Sequence, residues 1–316
     1  MTASPAPFFA DVAGGPDGGC ASWVKTSDGV RIRVGAWTPE NADQGTVLMF
    51  PGRTEYIEKY GDFAREMALR GFATLAVDWR GQGLADRLLP DRNLGHVKQF
   101  SDYQQDVTAA LDWATELQLP RPWHLVGHSM GGAIGLRALY EGLPVASCCF
   151  SAPMWGIQMS AAMRPLGNFM TAFGPMIGIG NRLVPTTSRQ AYVLSNPFED
   201  NTLTTDPHMF AMMQTQLKSH PDLVLGGPTI RWFSEGVREC RALAKRPAPE
   251  MPCLTFLGSN ERIVDTGAIH HRMNSWAKGT LDLIAGGEHE VMLETPKMRQ
   301  PIFDKMAAHF TAYGQS

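Results

Sequence analysis

The 316-residue sequence has little net charge and no basic run interleaved with aromatic residues. Lys and Arg number 28 against 31 Asp and Glu, so the formal net charge at pH 7 is −3. That distribution lacks the electrostatic footprint of a nucleic-acid-binding protein, and we expect no nucleic-acid partner. The composition, 44% hydrophobic and 19% charged, is instead typical of a soluble globular protein.

The sequence is also poor in cysteine and lacks a recognisable export signal. Its five cysteines are odd in number, and Cys148 and Cys149 are adjacent on a predicted strand, which is not the pattern of a disulfide framework. Residues 1–19 have no basic start followed by an apolar core, and we expect them to form a flexible N-terminal tail. These features predict a cytoplasmic protein and leave peripheral contact with the inner membrane open.

Buried strands alternate with helical patterns along most of the chain. This α/β rhythm predicts a mostly parallel central sheet with helices on both faces. Two segments of alternating polarity, 21–26 and 30–38, predict an antiparallel hairpin. The segments predicted as strands lie at 46–50, 72–77, 123–126, 145–150, 253–257 and 280–284.

The rhythm stops between residues 154 and 245, where methionine-rich segments are broken by prolines. We interpret residues 154–245 as a cap (lid) sub-domain inserted into a core made of 20–153 and 246–316, over the strand ends where sites form. Residues 154–180 are long enough to suggest a transmembrane helix. A charged residue, an asparagine and two prolines interrupt them, which argues against a span.

The stretch Gly127-His128-Ser129-Met130-Gly131 follows an apolar run and precedes an Ala/Leu-rich one. A serine between a buried strand and a helix must sit on a very tight turn, which presents its hydroxyl to substrate beside the helix N-terminus. This context predicts that Ser129 is a nucleophile. The alternative interpretation is a glycine-rich turn with a bystander serine.

A serine nucleophile needs a base, which follows it along the chain in this arrangement. His289 comes directly after the last predicted strand and is the predicted general base, although an exposed loop histidine has the same local pattern. His128 is predicted to point away from the nucleophile and to pack in the turn.

The acid that orients His289 has two candidates after the penultimate predicted strand. Glu261 comes first after the turn, and we expect it to be the acid. Asp265 is the alternative acid, or it caps the following helix. No metal-ligand spacing is present in the sequence, so we expect neither a metal nor an organic cofactor.

Two backbone N–H groups would hold the oxyanion, those of Met130 and Arg53. The side chain of Arg53 has two interpretations, which the sequence does not separate. A guanidinium suits a phosphate on the substrate. It would equally form an ion pair with a carboxylate such as Glu55.

These motifs resemble those of the monoglyceride lipase branch of the α/β-hydrolases, and most closely the bacterial lysophospholipases of that branch. The resemblance runs from about Gly45 to the C-terminus and implies the α/β-hydrolase fold, hydrolysis of the acyl ester of a lysophospholipid, and Glu261 as the acid. The residues that carry it include Gly127-His128-Ser129-Met130-Gly131-Gly132, Gly258-Ser259-Asn260-Glu261-Arg262, His289, Pro51-Gly52-Arg53, Arg80-Gly81-Gln82-Gly83 and Gly226-Gly227-Pro228-Thr229.

Methionines of the cap give either an adaptable surface for an acyl chain or ordinary cap core. On the first interpretation Met154, Met159 and Met163 contact the substrate, and the cap contacts a bilayer peripherally. We therefore predict a serine esterase of lipid metabolism acting on lysophospholipids or monoacylglycerols. The alternatives are a carboxylesterase for short-to-medium acyl chains and a non-catalytic lipid-binding protein on the same fold. The sequence gives no information on oligomeric state.

Overall fold

The core of the fold is one sheet with both parallel and antiparallel strand pairs. The computed structural model describes residues 3–159, 167, 171, 178–185 and 187–314. Its strands are β1 Ser4–Pro5, β2 Cys20–Lys25, β3 Arg31–Trp37, β4 Gly45–Phe50, β5 Phe72–Asp78, β6 Trp123–His128, β7 Ser147–Ser151, β8 Cys253–Gly258 and β9 Gly279–Ile284. Within the described residues they form a nine-stranded sheet of order β1-β2-β3-β5-β4-β6-β7-β8-β9. The pairs from β5–β4 through to β8–β9 are parallel, and those at the β1 end are antiparallel.

Strand β4 shows why this sheet is covered on both faces. All six of its residues are buried, and successive side chains point to opposite sides. Leu48 and Phe50 belong to one apolar cluster, whereas Val47 and Met49 belong to another. A continuous apolar run is therefore what a strand between two helical layers requires, and the predicted mostly parallel sheet is confirmed.

The helices divide between those two layers. Helices α3 and α4, with α7 and α8, pack in the cluster that contains Leu48, and α2 and α9 pack in the one that contains Val47. In the part of the chain that is described, no helix has the length and hydropathy needed to cross a membrane. The helices are α1 Ala10–Ala13, α2 Gly61–Ala68, α3 Tyr103–Glu116, α4 Met130–Tyr140, α5 Tyr192–Ser195, α6 Pro207–Ser219, α7 Ile230–Ala244, α8 Thr266–Asn274 and α9 Pro296–Tyr313.

The insertion between β7 and β8 contributes α5, α6 and α7. Phe210, Met213 and Leu217 of α6 form an apolar cluster with Tyr56 and Leu293, which lie on loops of the core. Helix α7 packs instead into the cluster of the main sheet. The insertion is therefore joined to the core along α7 and covers the loops at the strand ends with α6.

The N-terminal segment differs from the predicted flexible tail. Strand β1 pairs with β2 at the sheet edge, and α1 follows it. The Phe8 ring packs edge-on against Trp37, with centroids 5.6 Å apart, and Phe9 stacks on His220 at 3.7 Å. The backbone N–H of Phe9 also donates to Glu58 at 3.1 Å. Composition suggested a loose segment, but these two aromatic anchors fix it to the core and to the end of α6.

Arg33 lies on β3 in a wholly buried ion-pair network. Its guanidinium donates to Asp78 at 2.7 Å and to both oxygens of Glu58 at 2.8 Å, and all three side chains are 0% exposed. Because Arg33→Met leaves two carboxylates buried without their cation, we expect the free energy of unfolding to fall by about 3–5 kcal/mol. Urea titration measures this loss.

Arg31 provides the matched control on the same strand. It pairs with Asp86 at 3.3 Å, but both side chains are substantially exposed, 51% and 41%. Water already solvates such a pair, so Arg31→Met is expected to cost about 1 kcal/mol or less. An equal loss of unfolding free energy in Arg33→Met and Arg31→Met would show that burial of the ion pair does not determine its contribution.

Candidate active site

Ser129 occupies the sharp turn between β6 and α4. Its backbone has φ 49° and ψ −118°, a strained conformation for a residue with a side chain. The surroundings hold it there: its carbonyl accepts from Gly132 at 2.9 Å and from Met154 at 2.8 Å. A Cβ on Gly131 would lie 1.9 Å from the carbonyl oxygen of Phe50, so only glycine fits at that position. The strand–turn–helix context expected of a nucleophile is therefore present.

His289 follows β9 and is paired with Glu261, which follows β8. The Nδ1 atom of His289 lies 2.7 Å from Oε2 of Glu261, and their side chains are 5% and 0% exposed. The other oxygen of Glu261 accepts from the backbone N–H groups of Ile263 at 2.6 Å and Val264 at 3.1 Å. The carboxylate is thus fixed from both sides, which orients the imidazole.

The same contacts set the charge of Glu261. Burial alone would raise its pKa, but the hydrogen bond and charge of His289 and the N–H groups of Ile263 and Val264 outweigh that effect. The pKa of Glu261 is therefore held below its usual value, and the carboxylate stays ionised beside the imidazole.

Asp265 takes the second role that the sequence left open for it. It is the N-cap of α8, and its side chain accepts from the backbone N–H of Ala268 at 3.3 Å. The structure thus places Glu261, not Asp265, on His289. The assignment of Asp265 as an alternative acid is wrong in this geometry.

The loop after β4 brings Arg53 and its neighbours to the same place. The carboxylate of Glu55 accepts from the backbone N–H of Gly52, and Gln82 donates to the Gly52 carbonyl at 2.8 Å. These bonds fix the turn that carries the Arg53 amide. Met130, the first residue of α4, approaches from the other side, and both residues line one cavity with Ser129 and His289.

The Arg53 side chain reaches across to the insertion. Its Nη1 donates to the carbonyl of Gly226 at 2.8 Å, and its guanidinium lies 5.6 Å from the ring centre of Trp232. The alternative ion pair with Glu55 is wrong, since that carboxylate is bound by Gly52, Lys59 and Tyr60. Burial lowers the pKa of Arg53 to about 10.

A cavity of about 360 Å³ lies between the core loops and the insertion. Its polar lining includes Ser129, His289 and Arg53. Much of the remaining lining is apolar and comes from both the core and the cap. It includes Met154, Ile157, Val193, Met213, Leu217 and Phe233. This combination is typical of a site for a largely apolar ligand with one polar centre.

The three methionines predicted to bind substrate have different positions. Met154 lines the cavity. Met159 is half-buried and packs against the apolar cluster of the main sheet. Met163 lies outside the described residues. Met213 of α6, which lines the cavity, was not singled out because its helical spacing is the same as that of ordinary core.

Sequence reasoning also missed a group of buried charges beside His289. Glu55, Lys59, His128 and Glu290 meet beneath the site. His128 does pack in the turn, as expected, but it does so against two carboxylates. The signal available in the sequence was the position of Glu290 directly after His289.

The sheet, the strained serine turn and the imidazole–carboxylate pair define a serine hydrolase of the α/β-hydrolase class. Residues 41–296 match the Hydrolase_4 family model, described as "Serine aminopeptidase, S33", and the chain belongs to that family. The predicted α/β-hydrolase fold and the predicted carboxylic ester hydrolase class are confirmed.

Two curated relatives and one solved structure illustrate the similarity. "Lysophospholipase L2" of Escherichia coli strain K12 is 31% identical over 293 residues, covering 86% of this chain and 82% of that protein. "Monoacylglycerol lipase" of Mycolicibacterium smegmatis is 30% identical over 109 residues, or 34% of this chain and 36% of that protein. The structure of a soluble variant of monoglyceride lipase from Saccharomyces cerevisiae has a TM-score of 0.72 at 20% identity, covering 93% and 95% of the two chains. The predicted resemblance to the lysophospholipase and monoglyceride lipase branch is confirmed.

The contact between Glu261 and His289 can be tested by comparing substitutions of Glu261 and Asp265. We expect Glu261→Gln to lower kcat by about 10³-fold or more, because the amide neither fixes the same tautomer of His289 nor stabilises its imidazolium. Asp265→Asn keeps a good N-cap residue, so kcat should change by about twofold or less. Initial rates on one acyl ester, measured for both variants, check this. A larger loss for Asp265→Asn would overturn the assignment.

Proposed function

We propose that this chain hydrolyses the acyl ester of lysophospholipids or monoacylglycerols through an acyl-enzyme on Ser129. The observation that carries the proposal is that Ser129, the His289–Glu261 pair and the half-buried guanidinium of Arg53 come together at one mainly apolar cavity. The printed names of the curated relatives, lysophospholipase and monoacylglycerol lipase, support the same class of substrate.

In the proposed mechanism His289 removes the Ser129 proton as the hydroxyl oxygen attacks the ester carbonyl. The backbone N–H groups of Met130 and Arg53 stabilise the oxyanion. When the tetrahedral intermediate collapses, the C–O bond breaks and His289 returns the proton to the leaving alcohol. Water then attacks the acyl-enzyme with His289 as base, releasing the fatty acid, and Glu261 stabilises the imidazolium at each step.

The apolar part of the cavity suits the acyl chain. Burial of about twelve methylenes contributes on the order of 10 kcal/mol gross at about 0.8 kcal/mol each, before the costs of binding. Met154 and Met213 add flexible, polarisable side chains to this wall, which adapt to chains of different length. Such a surface favours long acyl esters over acetyl esters.

Arg53 supplies the polar end of the substrate site. Its guanidinium is half-buried, and within the described residues no carboxylate forms an ion pair with it. An unpaired cation that borders a cavity is best satisfied by an anion from the ligand, and a phosphate accepts from a guanidinium fork. We therefore favour a lysophospholipid over a monoacylglycerol as the substrate.

Two variants of Arg53 test the phosphate contact. We expect Arg53→Met to lower kcat/KM for lysophospholipid by about 10- to 100-fold, since a charge-assisted contact is worth about 1.5–3 kcal/mol. The monoacylglycerol of the same acyl chain should lose about threefold or less, because it carries no phosphate. Arg53→Lys, which retains the charge, should fall between wild type and Arg53→Met. Equal losses of kcat/KM on both substrates would rule out a contact between Arg53 and the phosphate.

A substrate panel on the purified protein tests the function itself. The panel pairs lysophospholipids and monoacylglycerols with acyl esters that lengthen from acetyl to palmitoyl. We expect kcat/KM to rise with chain length and to be greatest for lysophospholipids. A steep fall from acetyl to long acyl esters would instead identify a short-chain carboxylesterase. Binding of lipid without turnover would identify a non-catalytic lipid-binding protein.

The cytoplasmic location and the peripheral contact of the cap with a bilayer stay predictions. The methionine-rich segment that suggested such contact, 154–180, lies partly outside the described residues.

A further inference from the structure

Four charged side chains form a buried ion cluster next to the proposed catalytic groups: Glu55, Lys59, His128 and Glu290. The ammonium of Lys59 donates to Oε1 of Glu55 at 2.7 Å and to Oε1 of Glu290 at 2.6 Å. The Nε2 atom of His128 lies 3.2 Å from Glu290 and 3.5 Å from Glu55, without the alignment of a full hydrogen bond. All four residues are at most 5% exposed.

Three segments of the site, those that carry Ser129, His289 and the Arg53 amide, contribute to this ion cluster. His128 immediately precedes Ser129 and Glu290 immediately follows His289. Glu55 lies on the loop that presents the Arg53 amide and holds the backbone N–H of Gly52. The His128 and His289 rings also lie in contact, tilted by 56° with centroids 4.8 Å apart. Three loops that are distant along the chain therefore meet at one set of charges.

Lys59 is the cation that bridges two of these loops. Its contact with Glu290 joins residues 231 positions apart, whereas its contact with Glu55 is local. Tyr60 donates a further hydrogen bond to Glu55. The loop of the oxyanion amide and the loop of the imidazole are thus held together through one ammonium group.

The ion cluster contains its own cation, the ammonium of Lys59. Ligand atoms of Glu55, His128 and Glu290 lie within 4.8 Å of one another, a spacing that a divalent cation also accepts. The Lys59 ammonium already bridges the two carboxylates. Although burial opposes the charged form of His128, the carboxylates of Glu290 and Glu55 raise its pKa above the usual value.

We propose that Lys59 is a positioning residue, whose ammonium holds the oxyanion loop and the His289 loop in the register needed for attack by Ser129. This inference rests on the catalytic roles proposed for Ser129, His289 and the Arg53 amide. Lys59 fixes the distance between the Arg53 amide and His289, which are proposed to act at the same ester carbonyl. Its loss should therefore slow the chemical step more than it weakens substrate binding.

The main variant is Lys59→Met, which keeps the length of the side chain and removes its charge. A displacement of about 1 Å in a catalytic group costs about 100-fold in rate, so we expect kcat to fall by about 30- to 100-fold. KM should stay within about threefold of wild type. A fluorophosphonate probe, which needs no lipid site, should label Ser129 more slowly by a similar factor. Initial rates and the time course of labelling on the folded fraction measure these effects.

Arg137→Met provides a control for loss of an ion pair. Arg137 of α4 donates to Glu239 of α7 at 2.6 Å, in an ion pair that touches none of the three loops. We expect this variant to be less stable while its folded fraction is labelled within about twofold of the wild-type rate.

If Lys59→Met does not fold, the double variant Lys59→Met/Glu290→Gln removes one charge of each sign and leaves the net charge of the ion cluster unchanged. We expect it to fold and to label slowly, since the bridge between the loops is absent. Labelling of either folded variant at the wild-type rate would overturn the proposal. So would a raised KM at unchanged kcat, which would make Lys59 a substrate contact.

Labelling of the wild-type protein distinguishes failure of the proposed function from failure of the proposed role of Lys59. If the probe does not label wild-type Ser129, the proposed function fails. If wild type is labelled and folded Lys59→Met is labelled equally fast, only the positioning role of Lys59 fails.

Discussion

The tight turn at Ser129 is the constraint on which the rest of the site depends. A residue with a side chain holds φ at 49° and ψ at −118°, a conformation that costs about 1–3 kcal/mol and persists only where the surroundings over-determine it. They do so through the carbonyl hydrogen bonds from Gly132 and Met154 and through the close approach of Gly131 to β4. The parallel sheet supplies these contacts because β4, β6 and β7 end side by side.

Buried charge is the second feature that the site must accommodate. Glu261, Glu55 and Glu290 are each bound by a cation or by N–H donors, which offsets the cost of removing them from water. Arg53 has its carbonyl partner at Gly226 but no paired carboxylate among the described residues. In a mainly apolar cavity, that difference favours Arg53 as the place where an anionic head group would bind. The proposed preference for lysophospholipids follows from this contrast.

Local sequence was sufficient wherever a residue follows directly on a strand. Ser129, Glu261 and His289 each follow a strand, so the carboxyl ends of parallel strands bring them to one edge of the sheet. The role of Asp265 as the N-cap of α8 could also be predicted, because it depends on a contact only three residues along the chain.

Contacts between distant parts of the chain were beyond sequence reasoning. The bond from Arg53 to Gly226 spans 173 residues and depends on how the insertion folds back over the core. The bridge from Lys59 to Glu290 spans 231, and neither residue belongs to a periodic pattern that predicts burial. The N-terminal segment was mistaken for a tail because the positions of its two phenylalanines against Trp37 and His220 cannot be read from composition.

The proposed mechanism requires Ser129 to be an activated nucleophile. The most direct measurement is mass-spectrometric mapping of the covalent adduct formed when the intact protein is treated with a fluorophosphonate. The account predicts one adduct per chain, on the peptide that contains Ser129, and none in Ser129→Ala. Absence of an adduct from correctly folded wild-type protein, or an adduct on another serine, would contradict it.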